Sequence, residues 1–164
     1  PEIVWFFQFI RHVRQKENSH LPFIIAGSFF EFTQWNIFSF LFPGLIIFSL
    51  KLISDFIDFS CNHLGLDPNE ANVEISYDSK EAQDMRSFGK QTPSTGVIRV
   101  VFANRNLADA LRTLAHELVH RKQQLEDRLY VGAGEDGSDI ENEANAEAAV
   151  IMRKYGAANP IIFE

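Results

Sequence analysis

His116, Glu117 and His120 occur in the order His-Glu-Leu-Val-His, and their types and spacing suit metal-assisted hydrolysis. On an α-helix, residues four apart lie roughly 40° from each other around the axis, so both imidazoles can face one ion. Glu117 falls on the adjoining side, where a carboxylate can take a proton from water polarised by that ion. At this chain's own His and Glu frequencies, chance yields such a motif in roughly one chain in a hundred. The elements that would have to position these groups therefore decide what the motif means.

The first is the helix carrying the motif. Leu107 to Asp127 contains no Gly or Pro and is rich in Leu, Ala, Arg, Gln and Glu, all good helix formers. Asn104 or Asn106 can cap its start. With His116 as the zero of angle, Leu111, Leu114, Leu118 and Leu125 fall at roughly 160–220°. One face is thus apolar, and the histidines lie on the other.

A catalytic zinc usually has three protein ligands and an open position, so a third ligand is needed from another element. Residues 138–155 supply a helix to carry it. Ser138 and Glu141 form a capping-box pattern. Ile140, Ala144, Ala148, Ile151 and Tyr155 form a stripe at helical spacing, and Gly156 offers a stop. Glu141, Glu143 and Glu147 all border that stripe, and angle alone leaves the three open.

These residues carry a resemblance. The HELVH motif followed by IENEANAEAAVIM resembles the gluzincin metallopeptidases, in which a Glu on a later helix completes the zinc site. Asn142-Glu143-Ala144 is similar to the start of the thermolysin-type motif, and the wider run is similar to the ligand helix of ImmA/IrrE-type peptidases. Both likenesses imply Glu143 as the third ligand, with Glu147 and Glu141 as the other candidates. The likeness covers about residues 95–155. Glu147 departs from it, standing where the ImmA/IrrE pattern has Phe. The implied fold is α+β: a minimal zincin-like domain of HExxH helix, ligand helix and small β-sheet, preceded by an apolar helical segment.

The chemistry expected is hydrolysis of a peptide bond, with Zn2+ on His116, His120 and Glu143 and with Glu117 as general base. Tyr130, Tyr155 and His63 are candidates for a donor to the substrate carbonyl oxygen. Asp109, Asn142 and Asn145 are candidates for holding the ligand histidines. The partner implied is a peptide or protein substrate. The main alternative is a non-catalytic, metal-stabilised structural or regulatory domain, against which Glu117 speaks, since a purely structural site has no use for a base. A membrane-embedded protease is excluded because residues 103–130 carry eight charged side chains besides Glu117.

Around this site, Val97 to Phe102 reads as the best strand, one that could offer an edge to an extended peptide. Val73 to Tyr77 alternates as a second strand. Residues 78–96 read as a loop with one helical turn, and residues 131–138, with three Gly, as a flexible connection. Leu50 to Leu64 has helical spacing with Gly65 as its stop, and places the single Cys61 on the buried face.

Composition changes near residue 50. Of 16 Phe, 11 precede it, and Phe32 to Leu50 is 19 residues without a charge. Residues 1–50 thus form one unit and residues 51–164 the metallopeptidase unit. Three readings of residues 21–50 stand: a membrane segment, a buried or interfacial helical hairpin broken at Pro43-Gly44, and an extension foreign to the domain. The apolar stretch starts too late for a standard cleavable signal, which leaves a cytoplasmic or membrane-tethered protein. The net charge of −7 arises entirely after residue 50, from 12 basic and 19 acidic side chains. No basic, aromatic-interleaved stripe appears there, so nucleic acid is not an expected partner. One cysteine rules out an internal disulfide.

Overall fold

The computed structural model describes residues 23–26 and 43–164, with side chains from residue 49 onward. In chain order the elements are β1 (Phe23–Ala26), α1 (Pro43–Leu64), β2 (Val73–Ser76), α2 (Ser79–Met85), β3 (Gly89–Gln91), β4 (Ile98–Val101), α3 (Leu107–Leu125) and α4 (Asp139–Ala158). A 3-10 turn, Pro160–Phe163, closes the chain. The α+β class expected from the sequence is present. Most of residues 1–50 lies outside the described residues, including most of the stretch read as a membrane segment, hairpin or extension. Among the described residues no helix is long and apolar enough to cross a membrane.

One expectation near that boundary needs correction. Phe23–Ala26, placed by sequence within an apolar helical segment, is a strand paired parallel with β2. Its Phe-Ile-Ile sequence favours extended backbone. Helix α1 is described from Pro43 onward, and the stretch before Pro43 that would decide whether Pro43-Gly44 breaks a longer helix lies outside the described residues. Helix α1 then passes through residue 50 without a break. It buries Leu52, Ile53, Phe56, Ile57, Cys61 and Leu64 at helical spacing. The Ser60 hydroxyl, also buried, donates to the Phe56 carbonyl at 2.7 Å. Gly65 at φ +73° ends the helix, and the Leu66 N–H returns to the Cys61 carbonyl, as a left-handed C-terminal stop requires.

The sheet has the order β1-β2-β4-β3. β2 and β4 are parallel, with Val73 opposite Ile98 and Ile75 opposite Val100, all four fully buried. On the other face Glu74 is ion-paired with Arg99, its cross-strand neighbour. β3 runs antiparallel to β4 through a tight turn in which Gly96 takes φ +70°. β4 is therefore paired on both sides, and the edge expected of it belongs to β3 instead. The polar stretch 78–96 also holds more structure than a loop, namely α2 and β3. Gly-Lys-Gln carries no apolar alternation, so nothing in its sequence announced a strand.

Helix α3 lies against the sheet and packs on α1 and α4. Ala110, Leu111, Leu114, Ala115, Leu118 and Val119 fill the core, while Leu125, at the last position of the helix, is 54% exposed and leaves the expected stripe. Asn106 caps α3, its Oδ1 accepting from the Asp109 N–H at 2.8 Å. Ile140, Ala144, Ala148, Ile151 and Tyr155 of α4 are all buried as expected. Gly156 is not the stop. It sits inside α4, where a Cβ would meet the Phe163 ring at 2.5 Å, and the helix ends at Asn159-Pro160.

Candidate metal centre

His116 and His120 lie one turn apart on the face of α3 that looks towards the first turn of α4. Their Nε2 atoms approach to 2.9 Å. The Glu141 carboxylate completes the triangle, with Oε2 at 3.2 Å from His116 Nε2 and Oε1 at 3.1 Å from His120 Nε2. Among the described residues this is the one cluster of three or more His, Cys, Asp or Glu able to hold a metal ion.

The donor set fits such an ion. Bonds of about 2.0–2.1 Å at tetrahedral angles put ligand atoms about 3.3 Å apart, within a few tenths of an ångström of the separations here. All three side chains are under one-fifth exposed. His120 Nδ1 lies 2.8 Å from Gln123 Oε1, an acceptor that suits a proton on Nδ1 and a lone pair on Nε2. Burial and the neighbouring His120 ring hold His116 below the usual histidine range, against the opposing pull of Glu141 and a hydrogen bond with the Asn145 side chain. His116 is thus held towards its neutral form, the one able to offer a lone pair to an ion.

The structure brings Glu141, not Glu143, to the histidines. Residues two apart on a helix point to nearly opposite sides, so the two carboxylates cannot share one centre. Glu143 instead receives both Arg128 guanidinium nitrogens, at 3.0 and 2.5 Å, and the Gln123 amide at 3.0 Å. Arg128 accordingly holds its carboxyl below the usual range. Glu147 faces His63 at 4.0 Å. The capping box is only half made: Ser138 Oγ accepts from the Glu141 N–H at 3.1 Å, while the Glu141 side chain turns away to the histidines. A pattern read as a helix start thus conceals the carboxylate that meets the histidines. Asn145, one turn beyond Glu141, falls on the same face and reaches His116. Asp109 is taken by Arg105, and Asn142 Nδ2 donates to the Gly137 carbonyl.

Glu117 is 7% exposed and lies beneath β3. Burial raises its carboxyl to about 7, opposed by a hydrogen bond from the Gln91 N–H and reinforced by the Glu141 charge. The strand can come this close because residue 89 is glycine. A Cβ there would lie 2.5 Å from Thr113 Cγ2 and 2.7 Å from Glu117 Oε1. The far end of β3 is tied down by Gln91, whose Nε2 donates to Gln124 Oε1 at 2.5 Å. Gly89→Ala must therefore push β3 outwards or displace the Glu117 carboxylate. The expected result is a stability loss of about 1–3 kcal/mol by denaturant titration, with the His116, His120 and Glu141 cluster left intact. A reaction that used Glu117 as its base should slow at least about tenfold, since a displaced base loses alignment. An Ala variant as active as the parent would show that β3 does not set the position of Glu117.

The three candidate carbonyl donors are otherwise engaged. Tyr155 Oη, buried, donates to the Leu52 carbonyl at 3.2 Å and ties α4 to α1. Tyr130 Oη donates to Asp139 at 2.5 Å, and His63 stacks on Phe59. Cys61 is buried in the core, where its thiol is pushed up to about 12, and it is no nucleophile. No family model, curated protein or solved structure matches this chain.

Proposed function

We propose that the chain is a zinc-dependent peptidase with a minimal zincin-like domain and a gluzincin-type ligand set of His116, His120 and Glu141. One observation carries this reading: two imidazole nitrogens and a carboxylate converge within hydrogen-bonding distance of one another, and a buried carboxylate, Glu117, follows directly on the first ligand. Zinc held there would supply a Lewis acid that polarises water and the substrate carbonyl. The rest is the work of the chain's own residues. Glu117 takes the proton released as water adds to the carbonyl carbon and hands it to the departing amine nitrogen. Burial under β3 raises the basicity of that carboxylate towards neutral pH, where it can both accept and return a proton. β3, the outer strand beside Glu117, is the nearest extended backbone for a peptide to follow on its way to the site.

The rival, a metal site serving only stability, accounts for His116, His120 and Glu141 cross-linking α3 to α4. It gives no reason for Glu117, whose burial is a cost to the fold. The test is zinc titration of the full chain followed by incubation with an unstructured protein such as casein. One equivalent bound, cleavage, loss of cleavage with chelator and its return with zinc are the expected results. A chain that binds zinc but leaves casein and a randomised peptide library uncut would favour the rival. No zinc binding at micromolar concentration would end both readings.

A further inference from the structure

Gln123 is fully buried on α3, one turn beyond His120, and every polar atom of its side chain is used. Its Oε1 lies 2.8 Å from His120 Nδ1. Its Nε2 donates to the Ile140 carbonyl and to Glu143 Oε2, both at 3.0 Å. Glu143 is in turn gripped by the Arg128 guanidinium. The amide cannot flip without facing two acceptors with its oxygen and the His120 N–H with its NH2, so its orientation is fixed from the α4 side. Ile140 is also the residue directly before Glu141. One side chain thus sets the ring of a ligand on α3 and the backbone next to a ligand on α4.

We infer that Gln123 is a positioning residue for this centre: it locks His120 in the Nδ1–H tautomer with Nε2 free to coordinate, and Glu143 with Arg128 holds the Gln123 amide in the orientation that does so. The inference rests on the metal reading above and gives Glu143 a role at one remove from the ion. A glutamine is suited to the task because it offers an acceptor to one helix and a donor to the other, where a carboxylate would offer only acceptors.

Long-range proton–nitrogen spectra of the full chain at pH 8, metal-free and zinc-loaded, read the tautomer directly. The expected result is a proton on His120 Nδ1 in both. A proton on Nε2 in the metal-free chain, or zinc on Nδ1 in the loaded one, overturns the inference. Gln123→Leu keeps the volume and removes the amide. It should weaken zinc about 10–100-fold in competition with a chromophoric chelator and should alter the visible spectrum of the cobalt-substituted protein. The exchanged pair Gln123→Glu with Glu143→Gln restores an acceptor for His120 and a donor facing it. It should regain part of the lost affinity, since the Ile140 carbonyl still lacks its donor, whereas Gln123→Glu alone also sets two carboxylates together and should regain less. A folded Gln123→Leu variant with parental zinc affinity refutes the positioning role. If Leu at this site prevents folding, the tautomer in the unaltered chain still decides. Failure of the metal reading shows separately, as an unaltered chain that takes up no zinc.

Discussion

On the proposed ligand set, Glu141→Ala is expected to lose tight zinc binding, while Glu143→Ala keeps it. In the first variant the two imidazoles remain but the carboxylate that closes the triangle at 3.1 and 3.2 Å is gone. Two ligands four residues apart on one helix leave the ion with half its tetrahedral shell in water. The loss should exceed the about 10–100-fold typical of changes outside the ligand set. In the second variant the ion keeps all three ligands. What is lost is the Arg128 ion pair on a side chain 35% exposed, worth about 0–1 kcal/mol, and one of two acceptors for the Gln123 amide. Zinc affinity should then fall by no more than about tenfold. Competition titrations on both variants, with folding checked by circular dichroism, separate the assignments. Tight zinc in Glu141→Ala together with its loss in Glu143→Ala would return the ligand to Glu143.

Why sequence favoured Glu143 over the glutamate that the fold brings to the histidines can be stated in angles. The buried stripe of α4 centres among Ala144, Ala148 and Ile151. On an ideal helix Glu141 lies roughly 60° from that centre and Glu143 roughly 100°. The position nearer the buried seam is the one able to reach across to α3. That signal was present but small, and two things hid it. Glu141 follows Ser138 at capping-box spacing, which offers a complete local explanation for a Glu. The Asn142-Glu143-Ala144 likeness then drew the assignment two residues along, onto the opposite side of the helix. Asn145 marks the same face as Glu141, and the two together are the pair a reader could have used.

The histidine pair, the leucine stripe of α3 and the apolar stripe of α4 were legible because each is set by spacing within one helix. The partners of the site were not, because they depend on which strand and which loop return to it. β3 has no sequence signature of a strand. It is positioned by its pairing with β4, by Gln124 and by the missing side chain at Gly89. Gln123 reads as one more polar residue near the end of a helix until α4 packs beside it. Arg128, in the connection after α3, acquires its carboxylate partner only when the chain doubles back. Long-range packing thus chose the environment of residues whose chemistry the local sequence had already specified.

Glu117→Gln is expected to leave zinc bound and abolish peptide cleavage. Glu117 is not among the three converging ligands, so the ion's shell is unaltered. The amide keeps an acceptor for the Gln91 N–H and nearly the same volume, so β3 stays in place. What goes is the group proposed to take the proton, and removing a general base costs about 10²–10⁴-fold in turnover. The same substitution has a second consequence in the metal-free chain. Burial raises the folded-state carboxyl from 4.5 to about 7. Below pH 4.5 the group is protonated in both folded and unfolded chains and costs nothing. As pH climbs from 4.5 towards 7 the unfolded chain ionises first, so wild-type stability drains away across that window and levels off above it. Gln at this position has no such slope. In chelator, the stability of Glu117→Gln relative to wild type should therefore grow with pH from near zero to about 3 kcal/mol above pH 7, as an order of magnitude. Denaturant midpoints at pH 4.5, 6 and 8 measure it. Parallel pH profiles for the two proteins would mean that water reaches Glu117 freely, and the case for a base held ready under β3 would fall with them.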